Sequence, residues 1–225
     1  HVHVALMTHA ATLTADDLGD PFVVEAGTSA AWFDTERDGE GFVLEILAGG
    51  RAVMYWFTYD GAGRQDWYVA EGEIRGNRIL FPDLLRVAGG EFGPGFEPDR
   101  VTRTAIGSAS FIWSSCDSGA MSWAIDRDGG NRRQGRMNLT RLSRLMGLDC
   151  GMQMGAPEVP AGRFSGSWYD PAHSGEGYVL EVLADMRALV YWFSFDAQGA
   201  RRWFFGTGLI DGDRLVFDEL HTTAG

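Results

Sequence analysis

Apolar and polar residues alternate along most of the chain in short runs, and glycine-rich segments separate the runs. In residues 41–48 the side chains of Phe42, Leu44 and Ile46 fall on one face, which is the period-two pattern of a β-strand. The pairs Gly49-Gly50 and Asp60-Gly61 follow such runs and are typical of tight turns. Because no segment has a convincing helical period of apolar residues, the pattern predicts an all-β protein.

The pattern predicts eight consecutive strands in the first two-thirds of the chain. Their bounds are 31–34, 41–48, 51–59, 65–74, 78–81, 102–114, 120–126 and 134–142. Consecutive antiparallel strands joined mainly by hairpin turns are typical of an up-and-down barrel or of a strongly curved meander. Closure into a barrel is favoured because it leaves no exposed strand edge.

The chain contains one segment twice. Residues 29–89 align with residues 165–225 at a constant offset of 136 without a gap, and 27 of the 61 pairs are identical. The first copy continues to about Cys150, whereas the second copy has room for only five strands. We therefore predict one eight-stranded repeat and one partial repeat. The expected divisions are an N-terminal segment 1–28, a first repeat 29–150, a linker 151–163 and a partial second repeat 164–225.

The unfinished second copy has three interpretations. The sequence is a fragment of a longer protein, or the N-terminal segment supplies part of the missing sheet, or a neighbouring molecule supplies it by strand addition. We favour the first interpretation and keep self-association through the unfinished repeat as a possible partnership.

The third strand of each copy is apolar on both faces. In the first copy Tyr55 and Phe57 alternate with Trp56, and Tyr191 begins the same pattern in the second copy. A strand that is apolar on both faces needs cover on both sides. The simplest cover for the outer face is the other repeat.

Charge and cysteine usage restrict the class of protein. The formal net charge of −12 argues against nucleic-acid binding, since an acidic surface repels phosphate. No apolar run is long enough for a membrane span.

Cys116 and Cys150 both lie in the part of the first copy that the second lacks, and we expect them to form a disulfide. That pairing favours a secreted, extracellular or periplasmic protein.

A motif in the second copy resembles a known repeat. Residues 166–177 read Gly-Ser-Trp-Tyr-Asp-Pro-Ala-His-Ser-Gly-Glu-Gly, and Leu180, Glu181, the segment 191–196 and Trp203 follow. This pattern resembles a tryptophan-rich repeat found in secreted bacterial proteins of unknown activity. The resemblance covers nearly the whole chain after residue 28 and implies no catalytic residues. It also implies that full copies end in a cysteine-containing half.

A shorter resemblance covers fewer than ten residues. Gly166, Trp168, Tyr169 and Ser174 are similar to the opening strand of the avidin and streptavidin family, with Asp170 where that family has asparagine. The resemblance implies a barrel by analogy. The departure from asparagine argues against biotin as a ligand.

Two glutamates at equivalent places are candidate ligand-binding residues. Glu45 and Glu181 each lie within an apolar strand, where an unpaired charge is costly. Arg51 and Arg187, across the following hairpins, are the expected partners. A functional alternative is a carboxylate inside the barrel that binds a ligand or acts as an acid.

Acidic residues near the first hairpin match the spacing of a calcium loop. Asp34, Glu36, Asp38 and Glu45 have the alternation of oxygen ligands that Ca²⁺ requires. The flanking segments are predicted strands rather than helices, so we predict no metal here and treat these four as weak candidates. Asp34 and its equivalent Asp170 remain candidate ligand-binding residues.

The repeated tryptophans are candidate platforms for a sugar, although large aromatics at matching strand positions are more often core residues. The candidates are Trp32, Trp56, Trp168 and Trp192. The sequence has no nucleophile elbow, phosphate-binding loop, dinucleotide fingerprint or zinc spacing, and we predict no cofactor.

These observations favour a non-enzymatic secreted bacterial protein whose repeats bind a glycan or a protein partner, or assemble. One alternative is a small-molecule-binding barrel in the manner of avidins or lipocalins. The other is a hydrolase that uses Glu45 or Glu181 with a second carboxylate roughly 5–10 Å away.

Overall fold

The computed structural model describes residues 22–126, 132–151 and 160–224. Most of the predicted N-terminal segment (1–21), most of the predicted linker (152–159), the turn 127–131 and Gly225 lie outside the described residues. The described chain forms thirteen β-strands in two sheets.

The first eight strands form a closed antiparallel barrel in sequence order. Strand β1 pairs with β8, where Trp32 lies opposite Arg141 and Phe33 opposite Thr140. This pairing removes both edges of the sheet, so the predicted barrel is confirmed in its closed form. The strands are β1 (Ala30–Phe33), β2 (Gly41–Leu47), β3 (Arg51–Tyr59), β4 (Gln65–Arg75), β5 (Arg78–Ala88), β6 (Thr102–Trp113), β7 (Ser118–Asp126) and β8 (Arg132–Arg141).

Strand β5 is longer than the sequence pattern predicts. The pattern predicts that it ends at Phe81, and the next residue, Pro82, cannot donate a backbone hydrogen bond to a neighbouring strand. The pairing of β5 with β6 shifts register between Phe81 and Leu84 and again between Leu84 and Leu85. The chain passes Pro82 in this irregular stretch and then resumes the ladder, which extends β5 to Ala88.

The barrel interior is filled by side chains from opposite walls. Phe42 of β2 meets Phe111 of β6 edge to face, with ring centroids 4.8 Å apart. Trp32 and Trp113 meet in the same way at 5.7 Å. All four side chains are buried. An eight-stranded barrel is just wide enough for side chains to fill it, and large aromatics do so here.

The second sheet repeats the first five strands of the barrel. It consists of β9 (Gly166–Trp168), β10 (Gly177–Val182), β11 (Arg187–Phe195), β12 (Arg201–Asp211) and β13 (Arg214–Val216), paired antiparallel in sequence order. The partial second repeat is thus a five-stranded sheet. Within the described residues β9 and β13 each have one neighbouring strand.

The two sheets pack through the outer faces of β3 and β11. The ring of Tyr55 stacks on Phe193 at 4.9 Å, and the ring of Phe57 stacks on Tyr191 at 5.9 Å. Tyr55 is equivalent to Tyr191 and Phe57 to Phe193. Each contact therefore pairs the tyrosine of one repeat with the phenylalanine of the other. The repeats are therefore related locally by a two-fold rotation. The predicted cover of one repeat by the other is confirmed.

Helical structure is minor in the described part of the chain. It consists of 3-10 segments of three residues at Ala26–Thr28, Pro98–Arg100 and Pro171–His173 and one of five residues at Pro160–Phe164. No described helix has the length or apolar character needed to cross a membrane.

The expected disulfide is present between Cys116 and Cys150. It ties the turn between β6 and β7 to the segment that follows β8. The guanidinium of Arg141 lies nearby and donates a hydrogen bond of 2.7 Å to the carbonyl of Cys116. The same guanidinium donates at 2.9 Å to the carbonyl of Gly27, so this end of the barrel is tied together both covalently and by hydrogen bonds.

We predict that removing the disulfide with the double change Cys116→Ala and Cys150→Ala lowers the free energy of unfolding by about 3–4 kcal/mol. The cross-link closes a loop of sequence separation 34, and loops of this size restrict the unfolded chain by about that amount. Urea unfolding followed by tryptophan fluorescence measures the change. The wild type with its disulfide reduced serves as the control and should match the double variant. A loss below about 1 kcal/mol in both would contradict the prediction.

Candidate functional site

The contact between the repeats, which we call the seam, is lined by a buried hydrophobic cluster. It joins the outer face of β1–β5 to the facing side of the second sheet. Its buried members are Ala31, Val43, Phe57, Trp67, Val87, Phe96, Val179, Phe193, Phe195 and Trp203. The predicted glutamates and a cleft lie along this seam.

Glu45 projects from the outer side of β2 toward β9. Its Oε2 atom accepts a hydrogen bond of 2.6 Å from the hydroxyl of Ser167. The side chain is only partly buried, so water also solvates the carboxylate. The charge of Glu45 in the first copy is therefore stabilised by water and by one hydroxyl donor from the second copy.

The expected arginine partners of the two glutamates are wrong. Arg51 instead pairs with Glu71 on the neighbouring strand at 2.6 Å, and Arg187 pairs with Asp185 at 2.7 Å. Both pairs lie on the exposed ends of hairpins. An arginine across a hairpin can reach a carboxylate beside it without turning toward the seam, and the sequence pattern does not distinguish these geometries.

Glu181 is the equivalent of Glu45 under the local two-fold rotation, but its surroundings differ. It lies opposite Ala31, just as Glu45 lies opposite Ser167, but alanine has no hydroxyl to donate. Glu181 is 1% exposed, and neither carboxylate oxygen has a hydrogen-bond partner among the described residues. The nearby hydroxyl of Ser143 accepts a hydrogen bond of 2.7 Å from the amide of Ala31.

Burial raises the pKa of Glu181 to about 7. Ser143, the guanidinium of Arg141 and the amide of Ala31 act in the opposite direction, but desolvation of the charged form is the larger effect. Glu181 therefore keeps its proton in the folded state under mildly acidic conditions. Its neighbour Tyr191 also has a pKa well above the ordinary value, first because of burial and second because of Glu181.

Asp34 and Asp170 begin equivalent turns. Asp34 Oδ1 accepts from the amide of Glu36 at 3.0 Å, and Asp170 Oδ1 accepts from the amide of Ala172 at 2.9 Å. The second oxygen of Asp34 accepts from the amide of Asn138 on β8 at 2.9 Å. Asp34 thereby holds β8 against the end of β1.

The weak metal candidates are not gathered into a site. Among the described residues there is no group of three or more His, Cys, Asp or Glu side chains that could hold a metal ion. Glu36 and Asp38 are exposed in the turn after β1, whereas Glu45 faces the seam.

The four candidate tryptophans fall into two classes. Trp32 and Trp56 are 1% and 2% exposed and belong to the barrel core, so neither presents a ring face to a ligand. Trp168 is 43% exposed. Trp192 is half-buried, and its ring lies 5.6 Å from that of Phe92. The difference follows from closure of the barrel, because β6–β8 bury the first pair and no described strand lies in the equivalent place beside the second sheet.

A cleft of about 230 Å³ opens along the seam beside β9. Aromatic rings form much of its surface, and Tyr169 is 65% exposed at its rim. The residues that bear on its chemistry are Tyr55, Arg103, Tyr169, Ser174, Glu176 and Phe193.

Glu176 is held in place by its neighbours. Its Oε2 atom accepts a hydrogen bond from the hydroxyl of Ser194, and Oε1 lies 3.3 Å from Nδ1 of His173. The first copy has the same arrangement, where Thr58 donates to Glu40 at 2.6 Å. The carboxylate is therefore oriented by the repeat itself, and in the second copy it borders the cleft.

The loop that carries Ser174 approaches the barrel closely. A Cβ atom on Gly175 would lie 2.6 Å from a methyl group of Val101, and the φ angle of Gly175 is +127°, so only glycine fits. This approach lets Arg103 of β6 donate a hydrogen bond of 2.9 Å to the hydroxyl of Ser174.

The sequence pattern does not indicate most of the cleft residues as ligands. Arg103 follows the duplicated segment, so the repeat alignment assigns it no counterpart. Tyr169 and Ser174 occur only within the resemblance motifs, and Glu176 is one of many acidic residues. One signal is present, because residues 33 and 38 of the first copy differ from Tyr169 and Ser174, whereas Gly175 and Gly177 have glycine equivalents.

No protein-family model matches this chain, and no curated protein or solved structure is significantly similar to it.

We predict that Glu181→Gln removes a pH dependence of stability. The carboxyl titrates near pH 7 in the folded protein and near 4.5 in the unfolded chain. Between these values the unfolded chain has released the proton and the folded protein has kept it. The free energy of unfolding of the wild type therefore falls as the pH rises through this window and then levels off. The total fall is about 3 kcal/mol, so at pH 8 the glutamine variant should be the more stable by up to that amount.

Urea unfolding at half-unit steps from pH 4.5 to 8 measures this difference. Glu45→Gln is the matched control, because its carboxylate is partly solvated, and it should keep the wild-type slope. Ala31→Ser should give Glu181 the donor that Ser167 gives Glu45 and so flatten the slope. Parallel curves for the wild type and Glu181→Gln throughout the window would rule out the proposed titration.

Proposed function

We propose that the protein is a non-catalytic, secreted bacterial binding module that takes a sugar ring of a glycan in the seam cleft. The observation that carries the proposal is the exposed ring of Tyr169 at the rim of a cleft that also contains one carboxylate and one guanidinium. The disulfide supports an oxidising compartment, where glycans are common ligands.

The apolar part of the cleft suits the carbon-bound hydrogens of a sugar. Tyr55 and Phe193 stack on each other at 4.9 Å and make a rigid floor, and Tyr169 stands at the rim. Rigid aromatic side chains provide contact area at low cost in conformational entropy. The volume of about 230 Å³ lies below the ~300–1,000 Å³ of typical ligand pockets, so it suits a single ring rather than a larger cofactor.

The polar part of the cleft suits hydroxyl groups. Glu176 accepts hydrogen bonds, whereas Arg103 donates them, so a neutral ligand with both donors and acceptors is favoured over an ion of either sign. Both side chains already have protein partners, Ser194 and Ser174 respectively. They are thus ordered before a ligand arrives, which lowers the entropic cost of binding.

The two alternatives have weaker support. A ligand inside the barrel would have to displace core side chains such as Trp56 and Phe111, which are 2% and 1% exposed. A hydrolase based on Glu181 would need substrate to reach a carboxyl group that is 1% exposed. Glu45 is more accessible, but its Oε2 atom already accepts a hydrogen bond from the hydroxyl of Ser167.

We predict saturable binding of a neutral sugar to this cleft. The probes are glucose, galactose, N-acetylglucosamine and a soluble β-glucan, titrated into the 15N-labelled protein and followed by chemical-shift changes. The largest changes should fall on residues that line the cleft. Tyr169→Ala should weaken binding by about two- to tenfold, because one stacking aromatic contributes roughly 0.5–1.5 kcal/mol.

Phe164→Ala is the matched control, since Phe164 is 56% exposed but does not line the cleft. It should bind as the wild type does. Absence of saturable binding for all four probes, or an equal loss in both variants, would exclude the cleft as a sugar site.

A further inference from the structure

The floor of the seam cleft is longer than its aromatic part. Tyr55 of β3 lies opposite Val69 of β4, and Val87 of β5 lies opposite Arg103 of β6. All four residues line the cleft. Neighbouring strands are about 4.8 Å apart, so the floor extends over three strand spacings, roughly 14 Å, from the tyrosine to the arginine. A sugar ring stacked at the aromatic end therefore leaves the other end of the floor without contacts.

The second repeat supplies the facing wall through two short segments, one at the end of β9 and one in the loop that follows it. The first segment is held by the hydrogen bond from Ser167 to Glu45, and Ser167 is also hydrogen-bonded to Tyr55. The second segment is held by the hydrogen bond from Arg103 to Ser174. One wall segment thus lies at the aromatic end and the other at the arginine end, and both are fixed to the barrel before a ligand enters.

The middle of the floor is apolar. Val69 is half-buried and lines the cleft, so part of its side chain is open to a ligand, and Val87 beside it is 2% exposed. A sugar hydroxyl placed on this surface would lose water without gaining a hydrogen-bond partner. A methyl group placed there would instead gain from leaving water. The middle of the cleft therefore favours a ring that carries a small apolar substituent.

Two donors and one acceptor complete the lining at the arginine end. A guanidinium has five N–H donors, and the contact with Ser174 uses one of those of Arg103. Ser174 accepts that hydrogen bond, so its own hydroxyl hydrogen is available to a ligand. Two donors 2.9 Å apart suit one carbonyl oxygen, which has two lone pairs. Glu176, which Ser194 and His173 hold in place, can accept from an N–H group.

We propose that the ligand of this cleft is an acetamido sugar, that is, a pyranose ring with an N-acetylated amino group. This inference rests on the proposed function and names the class of sugar. The ring stacks at the Tyr55 end, and the acetamido group lies along the floor with its methyl group on Val69. Its carbonyl oxygen accepts from Arg103 and Ser174, and its N–H group donates to Glu176. The substituent is uncharged, in agreement with a cleft that contains one cation and one anion.

The test compares sugars that differ in one group, each titrated into the 15N-labelled 225-residue protein and followed by chemical-shift changes. N-Acetylglucosamine should bind at least about tenfold more tightly than glucose, because it adds a methyl group and an amide at one place. N-Formylglucosamine keeps the amide and lacks only the methyl group. It should bind about fourfold more weakly than N-acetylglucosamine, the effect expected for one buried methyl group.

Val69→Thr tests the methyl contact, since threonine has the shape of valine but replaces one methyl group by a hydroxyl group. This variant should lose most of the preference for N-acetylglucosamine over N-formylglucosamine and should bind glucose as the wild type does. Val53→Thr is the matched control. Val53 is half-buried on the same side of β3 as Tyr55 but does not line the cleft, so the preference should remain at its wild-type value.

The outcomes separate this inference from the proposed function. A preference for N-acetylglucosamine that Val69→Thr alone reduces supports the assignment. Equal dissociation constants for glucose and N-acetylglucosamine overturn the assignment and leave a sugar site in place. An equal loss of preference in Val69→Thr and Val53→Thr also overturns it. Absence of saturable binding for every sugar overturns the sugar site itself, and the assignment with it.

Discussion

The structure depends on strands that are apolar on both faces. The inner side of β3 contributes Met54 and Trp56 to the barrel core, and its outer side presents Tyr55 and Phe57. A β-strand alternates its side chains between two faces, so burying one face leaves the other in water unless a second layer is added. The second repeat is that layer. The barrel and the seam are therefore two results of one constraint, and neither sheet is satisfied by its own fold alone.

The duplication places equal residues in unequal surroundings, which explains why equivalent positions behave differently. Glu45 and Glu181 are the same residue on the same strand, yet one meets the hydroxyl of Ser167 and the other meets Ala31. The local two-fold relation makes this comparison direct, because each glutamate faces the position that the other repeat supplies. Glu45 stays partly solvated, whereas Glu181 is buried, and desolvation raises its pKa in spite of the nearby Ser143 hydroxyl.

Much of the fold follows from the sequence pattern, whereas the cleft does not. Period-two alternation and turn residues predict the strands, and the two-sided apolar strand predicts the packing of one repeat on the other. The pattern misses the end of β5, since it stops at Pro82 and cannot show that a register shift carries the strand to Ala88. It also gives wrong partners for the glutamates, because Arg51 pairs with Glu71 on the neighbouring strand instead. Arg103 of β6 meets Ser174 only because the loop that carries Ser174 packs against the barrel.

Strand β9 links the two surfaces of the second sheet. Ser167 points into the seam, where it binds Glu45, and Trp168 points to the other side of the strand, as adjacent residues of a strand must. Tyr169 then returns to the seam side, and all three residues contribute atoms to the lining of the cleft. Because Glu45 of the barrel holds Ser167, the contact between the repeats also positions this edge of the cleft. The packing of the two sheets and the shape of the cleft therefore depend on the same short strand.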